Sequence, residues 1–453
     1  MNIFIYGSGK VGQRIVSILS ESSHNITVID KDRKAVETVT DLYDVIGYEG
    51  DGTDAALMQE AGIEKADLLL AMTGNDEVNL ICALIARNLS RCRTIVRVKN
   101  PRYEASFPVI AKNLGLAMIV NTERLAAEEA ARVIRFPSAL QVETFNKGRI
   151  ELIKYRVKED SLLDGIRIAD ISRKIKADVL ICAVERGEKA MIPNGDFVLH
   201  ARDVISFVTT PERGQGIFRA LEGKNRRSRD CMIIGGSTLG YYLAKELTQS
   251  GIHVTLIERN PEKCESLSQS IPAANIICGD ATDTSLLFEE GLEQMDAVVT
   301  LTNMDETNII LSLYVSNHCH VKTITKMNRL EMDAVTADMN LDTILVPKNI
   351  TGDIVSSYVR AMGNSPEGSI EALYSLAGGK AEAIEFRVGA NCPLADKPLM
   401  QLRLKSDLVI ACISHYGKVV IPNGRSIIRE GDDIIVVTTR KGINEIKDMI
   451  DEL

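Results

Sequence analysis

No apolar run in the 453-residue chain approaches the ~20 residues that a bilayer-spanning helix needs, so no membrane span of its own is expected. The nine cysteines include no C-x-x-C pair, which leaves buried, reduced thiols of a cytosolic protein as the simplest account. No Ser-His-Asp set, metal-ligand spacing or Walker-type lysine pattern is present. His318-Cys319-His320 resembles a metal cluster, but adjacent side chains at the end of a helical pattern point different ways, so a structural role is expected. The start, MNIFIYGSGK, already reads as fold rather than as a signal peptide. A net charge of −9 argues against a general nucleic-acid binder, though not against a local basic patch. Hydrophobic content of 45% and charged content of 25% are ordinary for a globular protein, and the length predicts three or four domains.

What is present begins at the N-terminus. Asn2 to Tyr6 reads as a strand, and Gly7-Ser8-Gly9-Lys10-Val11-Gly12 fills a G-x-G-x-x-G pattern directly after it. Val11, Ile15, Ile18 and Leu19 then recur at helical spacing, and a second strand, Ile26 to Ile29, ends on Asp30. Gly7 permits the tight turn. Gly9 lets backbone approach a pyrophosphate, and Gly12 lets helix pack on strand. The helix N-terminus offers unpaired N–H groups to phosphate. Asp30 can accept from ribose hydroxyls and repels a 2′-phosphate, which favours NAD-type or adenine ligands over NADP. Lys10 is either a solvated first-turn side chain or a phosphate contact.

Strands and helices continue to alternate to about Val120, which predicts a parallel sheet covered on both faces. Gly7, Asp30, Asp51, Thr73 and Arg97 all fall at strand ends, where ligands of such sheets lie, and are expected in one pocket. Leu80, Ala83, Leu84 and Arg87 share one face of the helix that follows Thr73. From Gln141 strand signals dominate. Ile150 to Val157, Val179 to Val184 and Asp203 to Thr209 read as strands, with one short helix near Arg167 to Ile175, giving a small α+β domain. Asp203 and Asp432 read as turn residues, and His200 and His415 as surface residues. The stretch Glu222 to Asp230, with Lys224, Arg226, Arg227 and Arg229, reads as a solvated linker; a contact patch for an acidic lipid or partner is the other reading.

The chain then starts again. Cys231 to Ile234 is a strand, Gly235-Gly236-Ser237-Thr238-Leu239-Gly240 follows, and a second strand ends on Glu258, at the span that separates Gly7 from Asp30. Gly279 to Asp283 echoes Gly50 to Asp54. Thr302, Asp305 and Asn308 echo Thr73, Asp76 and Asn79, and Lys326 stands where Arg97 stood. Ile421 to Gly424 repeats Ile192 to Gly195. This is a tandem duplication of a two-domain unit. Ser237 replaces Gly9, and its Cβ narrows the approach to a pyrophosphate. A nucleotide is still expected there, held more weakly or of a different kind.

The glycine loop with Asp30, the G-D-G/A-T-D stretches, the T-x-x-D strand ends and the I-P-N-G segments resemble the regulator-of-potassium-conductance (RCK, or KTN) family over nearly the whole chain. The resemblance implies an α/β fold: two tandem Rossmann-like, doubly wound parallel-sheet domains, each followed by a small α+β RCK_C domain, at 1–136, 137–222, 230–361 and 365–453. It implies that Gly7, Ser8, Gly9, Lys10, Val11, Asp30, Thr73, Gly74 and Arg97 contact NAD(H), with Asp51 beside the adenosine. Gly235, Gly236, Ser237, Thr238, Leu239, Glu258, Asp280, Thr302, Asn303 and Lys326 are their counterparts; ATP or ADP are further ligands of this kind. It also implies a homo-oligomeric ring, a tetramer, on the cytoplasmic face of a membrane potassium channel or transporter subunit of TrkH-like type. Nucleic acid has no part in this reading. A soluble NAD-dependent oxidoreductase with a degenerate duplicate is the alternative, but it needs a proton donor or acceptor beside the nicotinamide, and the small domains offer little.

Overall fold

The computed structural model describes the chain except at residues 23, 137, 147–148, 160, 176, 178, 188, 223–228, 320, 329–338, 340, 365–369, 377–379, 391, 416–417, 441–442, 444 and 452–453. Most of the basic stretch between Glu222 and Asp230, and His320, lie outside the described residues. Packing gathers the chain into two units, Met1–Ile134 with Ser228–Ser356, and Arg135–Arg227 with Ser357–Leu453. Among the described residues no helix is long and apolar enough to cross a membrane.

The first unit holds two parallel sheets. Strands β1 (Asn2–Tyr6), β2 (Asn25–Asp30), β3 (Ile46–Glu49), β4 (Leu68–Ala71), β5 (Arg93–Arg97) and β6 (Met118–Val120) pair in the order β3-β2-β1-β4-β5-β6. Past Asn2 the central strands are apolar, as burial on both faces demands: every residue of Leu68–Ala71 is buried. Strand order reverses between β1 and β4, which opens a crevice at their carboxyl ends. The connecting helices carry their own start signals. Asp32, Asp54 and Asn75 each accept a backbone N–H of the helix that follows, from Lys34, Ala56 and Val78. The last aspartate of Gly50 to Asp54 is therefore a helix cap. The helix Asp76–Leu89 buries Asp76, Asn79, Cys82, Ala83 and Ala86. Leu84, at helical spacing with Leu80 and Ala83, is 46% exposed, because two buried hydrogen-bonding groups, Asp76 and Asn79, set the rotation of the helix.

The second sheet repeats the plan: β12 (Asp230–Ile234), β13 (His253–Glu258), β14 (Asn275–Cys278), β15 (Ala297–Thr300), β16 (Lys322–Lys326) and β17 (Thr343–Leu345) pair as β14-β13-β12-β15-β16-β17. The two halves exchange their last helices. Thr122–Arg135 presents Ala126, Ala127, Ala130 and Ala131 to the core that also holds Leu239, Leu243 and Leu247 of helix Thr238–Gln249. Reciprocally, a Cβ on Gly352 would stand 2.7 Å from Ile18 of helix Lys10–Leu19. Asn121 Nδ2 donates to the Tyr242 hydroxyl at 3.1 Å, tying the halves with a buried polar contact.

The second unit holds two antiparallel sheets. Strands β7 (Ala139–Phe145), β8 (Ile150–Arg156), β9 (Leu180–Arg186), β10 (Lys189–Met191) and β11 (Val204–Thr209) pair as β10-β9-β11-β8-β7. Strands β18 (Ile370–Leu376), β19 (Ala381–Arg387), β20 (Leu408–His415), β21 (Lys418–Val420) and β22 (Asp433–Thr438) pair as β18-β19-β22-β20-β21. One core joins both sheets, with Leu152, Val208, Ala383 and Val437 in it and the Phe145 and Tyr374 rings edge to face at 4.7 Å. Two turn aspartates are buried here. Asp203 receives Nε and Nη2 of Arg186 at 2.8 and 2.7 Å. Asp432 accepts the Arg429 N–H at 2.8 Å and meets Nδ1 of His415. His415 is thus a half-buried partner of a carboxylate rather than a plain surface residue, whereas His200 is exposed. His318 stacks on Tyr314 with ring centroids 4.2 Å apart, and Cys319 is buried.

Candidate functional site

Each glycine loop leaves a sheet at its centre and opens a helix. Gly7 and Gly235 stand at φ of +99° and +111°, where side chains are strained. A Cβ on Gly12 would lie 1.9 Å from the Gly7 carbonyl oxygen, and one on Gly240 2.3 Å from that of Gly235. At Gly9 the reason differs. Its φ of −68° suits any residue, and a Cβ there would meet nothing within 4 Å, so the glycine keeps space open in front of the helix. No side chain caps this helix, leaving its first-turn N–H groups available. In the second half Ser237 occupies that position, and its hydroxyl accepts the Gly240 N–H at 3.3 Å. One donor free in the first half is taken in the second.

The two acids support their loops. Asp30 Oδ2 accepts the Ser8 N–H at 2.5 Å and the Ser8 hydroxyl at 3.0 Å, and Oδ1 accepts the Asp32 N–H at 2.9 Å. Glu258 does the same with Gly236 N–H at 2.8 Å and Asn260 N–H at 2.9 Å. Each carboxylate keeps lone pairs beyond these bonds. Asn79, fully buried, fixes the next two strand ends. Its Oδ1 accepts from the Thr73 N–H and hydroxyl at 3.0 and 2.6 Å, and its Nδ2 donates to the carbonyls of Thr73 and Arg97. Asn308 repeats all four contacts with Thr302 and Lys326.

A cavity of about 870 Å³ is lined from both halves. The first half gives it Gly7, Gly9, Lys10, Val11, Asp30, Thr73, Gly74 and Arg97; the second gives Ser237, Thr238, Leu239, Asn303 and Lys326. A cavity of about 340 Å³ lies over the second loop, with Gly235, Glu258, Asp280 and Thr302 on its wall. Ser8 and Gly236 do not line these cavities; their amides turn inward to the acids. Asp51 also stays off the lining. It is held by Lys31 at 2.9 Å, by the Thr53 N–H and hydroxyl at 2.9 and 2.8 Å, and by the Tyr6 hydroxyl at 3.1 Å. Lys31 above all, with Thr53, holds its carboxyl well below the usual range, while burial and Asp51 push the Tyr6 hydroxyl up. The second half keeps the threonine part, with the Thr282 N–H and hydroxyl on Asp280 at 2.9 and 2.8 Å, and loses the tyrosine. Ile234 stands for Tyr6, and Ala281 for Gly52, whose Cβ would strike the Tyr6 ring at 2.4 Å.

Sequence reasoning missed Thr122 and Glu123, at the start of the exchanged helix, and their counterparts Pro347 and Lys348; all four line the larger cavity. Glu123 stands 3.5 Å from Arg97. Burial foremost holds the Lys326 ammonium below its usual range; Lys10 adds to this, and Asp305 and Glu123 oppose it. Arg97 Nε, Glu123 Oε2 and Thr122 Oγ1 are buried without a hydrogen-bond partner. Unmet donors, clustered cations and an open cradle at Gly9 fit an anionic, hydroxyl-bearing ligand.

The TrkA-N domain model matches residues 3–122 and 231–347, and the TrkA-C domain model matches 152–221 and 383–451. The chain belongs to the TrkA family. A TrkA homologue of the Trk potassium uptake system from Archaeoglobus fulgidus is 34% identical over 99% of this chain and 100% of its own length. The TrkA of Haemophilus influenzae is 27% identical over 99% and 98%. Among solved structures, the GsuK RCK domain superposes with a TM-score of 0.63 at 18% identity, over 99% of this chain and 94% of that one. The GsuK channel bound to NAD gives 0.62 at 18%, over 99% and 78%. These likenesses show that TrkA-type chains share the RCK fold, with the expected Rossmann-like halves and small α+β domains.

Proposed function

We propose that this chain is a non-catalytic regulatory subunit that binds NAD(H), or ATP or ADP, and thereby gates a membrane potassium uptake channel or transporter. The observation that carries this reading is the pair of glycine loops with their acids: Asp30 lines a cavity built from both halves, and Glu258 a smaller one over the second loop. Two further facts support it. The curated relatives are Trk potassium uptake proteins matched end to end, and the fold's GsuK neighbour has been solved bound to NAD and bound to ADP.

In this reading the first-turn amides after Gly9 hold phosphate, Asp30 accepts from ribose, and Thr73, Gly74 and Arg97 close the far wall. Asp51 acts at one remove, holding Tyr6 and Lys31 beside the adenosine. Gly235 to Leu239, Glu258, Asp280, Thr302, Asn303 and Lys326 form the second site. The domains are proposed at 1–136, 137–222, 230–361 and 365–453, and the assembly as a cytoplasmic ring of four chains docked on its membrane partner. Ligand at a wall made by two halves favours one arrangement of those halves, a population shift of about 1–3 kcal/mol. Potassium flux through the reconstituted membrane partner, with and without this chain and nucleotide, tests the proposal. Flux that ignores both removes it, and steady turnover of NADH with small carbonyl compounds overturns its non-catalytic part.

A further inference from the structure

We propose that Cys264 and Cys278 form a reversible disulfide, a modification site beside the second nucleotide cleft. Two separate contacts bring the thiols to one residue, Glu258. Strand β14 ends at Cys278, which pairs directly with Glu258 across the parallel ladder. Cys264, in the first turns of helix Pro261–Ser270, sets its Sγ 3.1 Å from the Glu258 carbonyl oxygen. The two thiols differ in exposure. Cys278 is exposed and Cys264 is buried, and burial first, then Cys278, pushes the Cys264 thiol up to about 11. The exposed thiol meets the oxidant and the buried one closes the bond.

The chemistry balances with a peroxide as oxidant. Cys278 sulfur attacks a peroxide oxygen, the O–O bond breaks, and Cys278 sulfenic acid and water form. Cys264 sulfur then attacks Cys278 sulfur, the S–O bond breaks, and a second water leaves. Two electrons pass from the thiols to peroxide, and a dithiol reductant returns them. Val36 and Glu49 hold the equivalent places in the first half, so only the second cleft carries the pair. Bonding draws the sulfurs to about 2.05 Å. That pulls Cys264 off the Glu258 carbonyl and tethers the helix to the segment running into Gly279 and Asp280, which line the cleft. Oxidation is expected to weaken nucleotide binding at the second site by at least about fivefold; this consequence rests on the proposed function, whereas the disulfide itself does not.

The full-length chain, treated with hydrogen peroxide and digested without reductant, is expected to yield a peptide pair linked through residues 264 and 278 that dithiothreitol separates. Cys264→Ser is expected to leave Cys278 as a sulfenic acid trappable by dimedone. Peroxide that leaves 264 and 278 unlinked while oxidising Cys278 further overturns the site. A calorimetric titration with ADP then compares reduced and oxidised protein, with Cys278→Ser as control. A linked but equally tight-binding protein overturns the coupling to the cleft. Linkage in a protein that binds no ADP, NAD⁺ or NADH when reduced counts against the proposed function and leaves the disulfide standing.

Discussion

Gly9→Ser separates ligand approach from folding. Gly9 sits at φ −68°, ψ −172°, and a Cβ meets nothing within 4 Å, so serine enters without strain. It can also cap the helix as Ser237 does for Gly240. Serine and glycine at this position differ by only a few tenths of a kcal/mol. The melting temperature of the ligand-free variant is therefore expected to stay put or rise slightly. The same Cβ and hydroxyl occupy the approach to the first-turn amides and take one donor. Losing a hydrogen bond to a charged phosphate costs about 1.5–3 kcal/mol, roughly a ten- to hundredfold weaker Kd. Calorimetric titration with NADH, and with NAD⁺ and ADP in parallel, reads this directly. Full affinity at the first site with an unchanged melt would mean that phosphate is not cradled at Gly9.

Asp30→Ala should weaken first-site binding by about 1–3 kcal/mol and also lower stability, because the Ser8 N–H is left buried and unpaired; unchanged affinity by calorimetry would refute the ribose contact. Asn79→Ala should destabilise by about 1–3 kcal/mol or more in urea unfolding, since it orphans buried groups on two strand ends, and Asn308→Ala should match it. Lys326 has a folded-state pKa below its unfolded value, so its charge opposes folding, fully below the folded pKa, and that penalty fades as pH rises toward the unfolded one. An anion in the cleft favours the charged form, so nucleotide binding at alkaline pH should take up protons, seen as buffer-dependent heats and lost in Lys326→Arg. Gly12→Ala should cost about 3 kcal/mol or more by thermal melt, because backbone cannot yield to a Cβ at 1.9 Å.

The parallel halves were legible because a tandem repeat states each signal twice: strand, glycine turn, acid, then T-x-x-D. The exchanged helix Thr122–Arg135 was not, since its buried face is alanine and carries little apolar contrast. With it went Glu123 and the insight that one cavity has walls from both halves. Helix Pro211–Glu222 was hidden by Gly214 and Gly216, which lower helix propensity. Strands β7 and β10 are a weakly alternating segment and a three-residue edge. The loss of the tyrosine network from the second site was readable in principle: Tyr6 and Gly52 change together to Ile234 and Ala281, one ring exchanged for one methyl.

Were the two faces of this cavity supplied by identical subunits, every amino-acid change would appear on both. A single polypeptide frees each face to drift alone. Lys326 takes the place of Arg97, Ser237 that of Gly9, and Lys348 that of Glu123, three mismatches on one lining that a symmetric pair could never hold. Lopsided recognition of a lopsided molecule, with unlike chemistry at its two ends, needs only that licence.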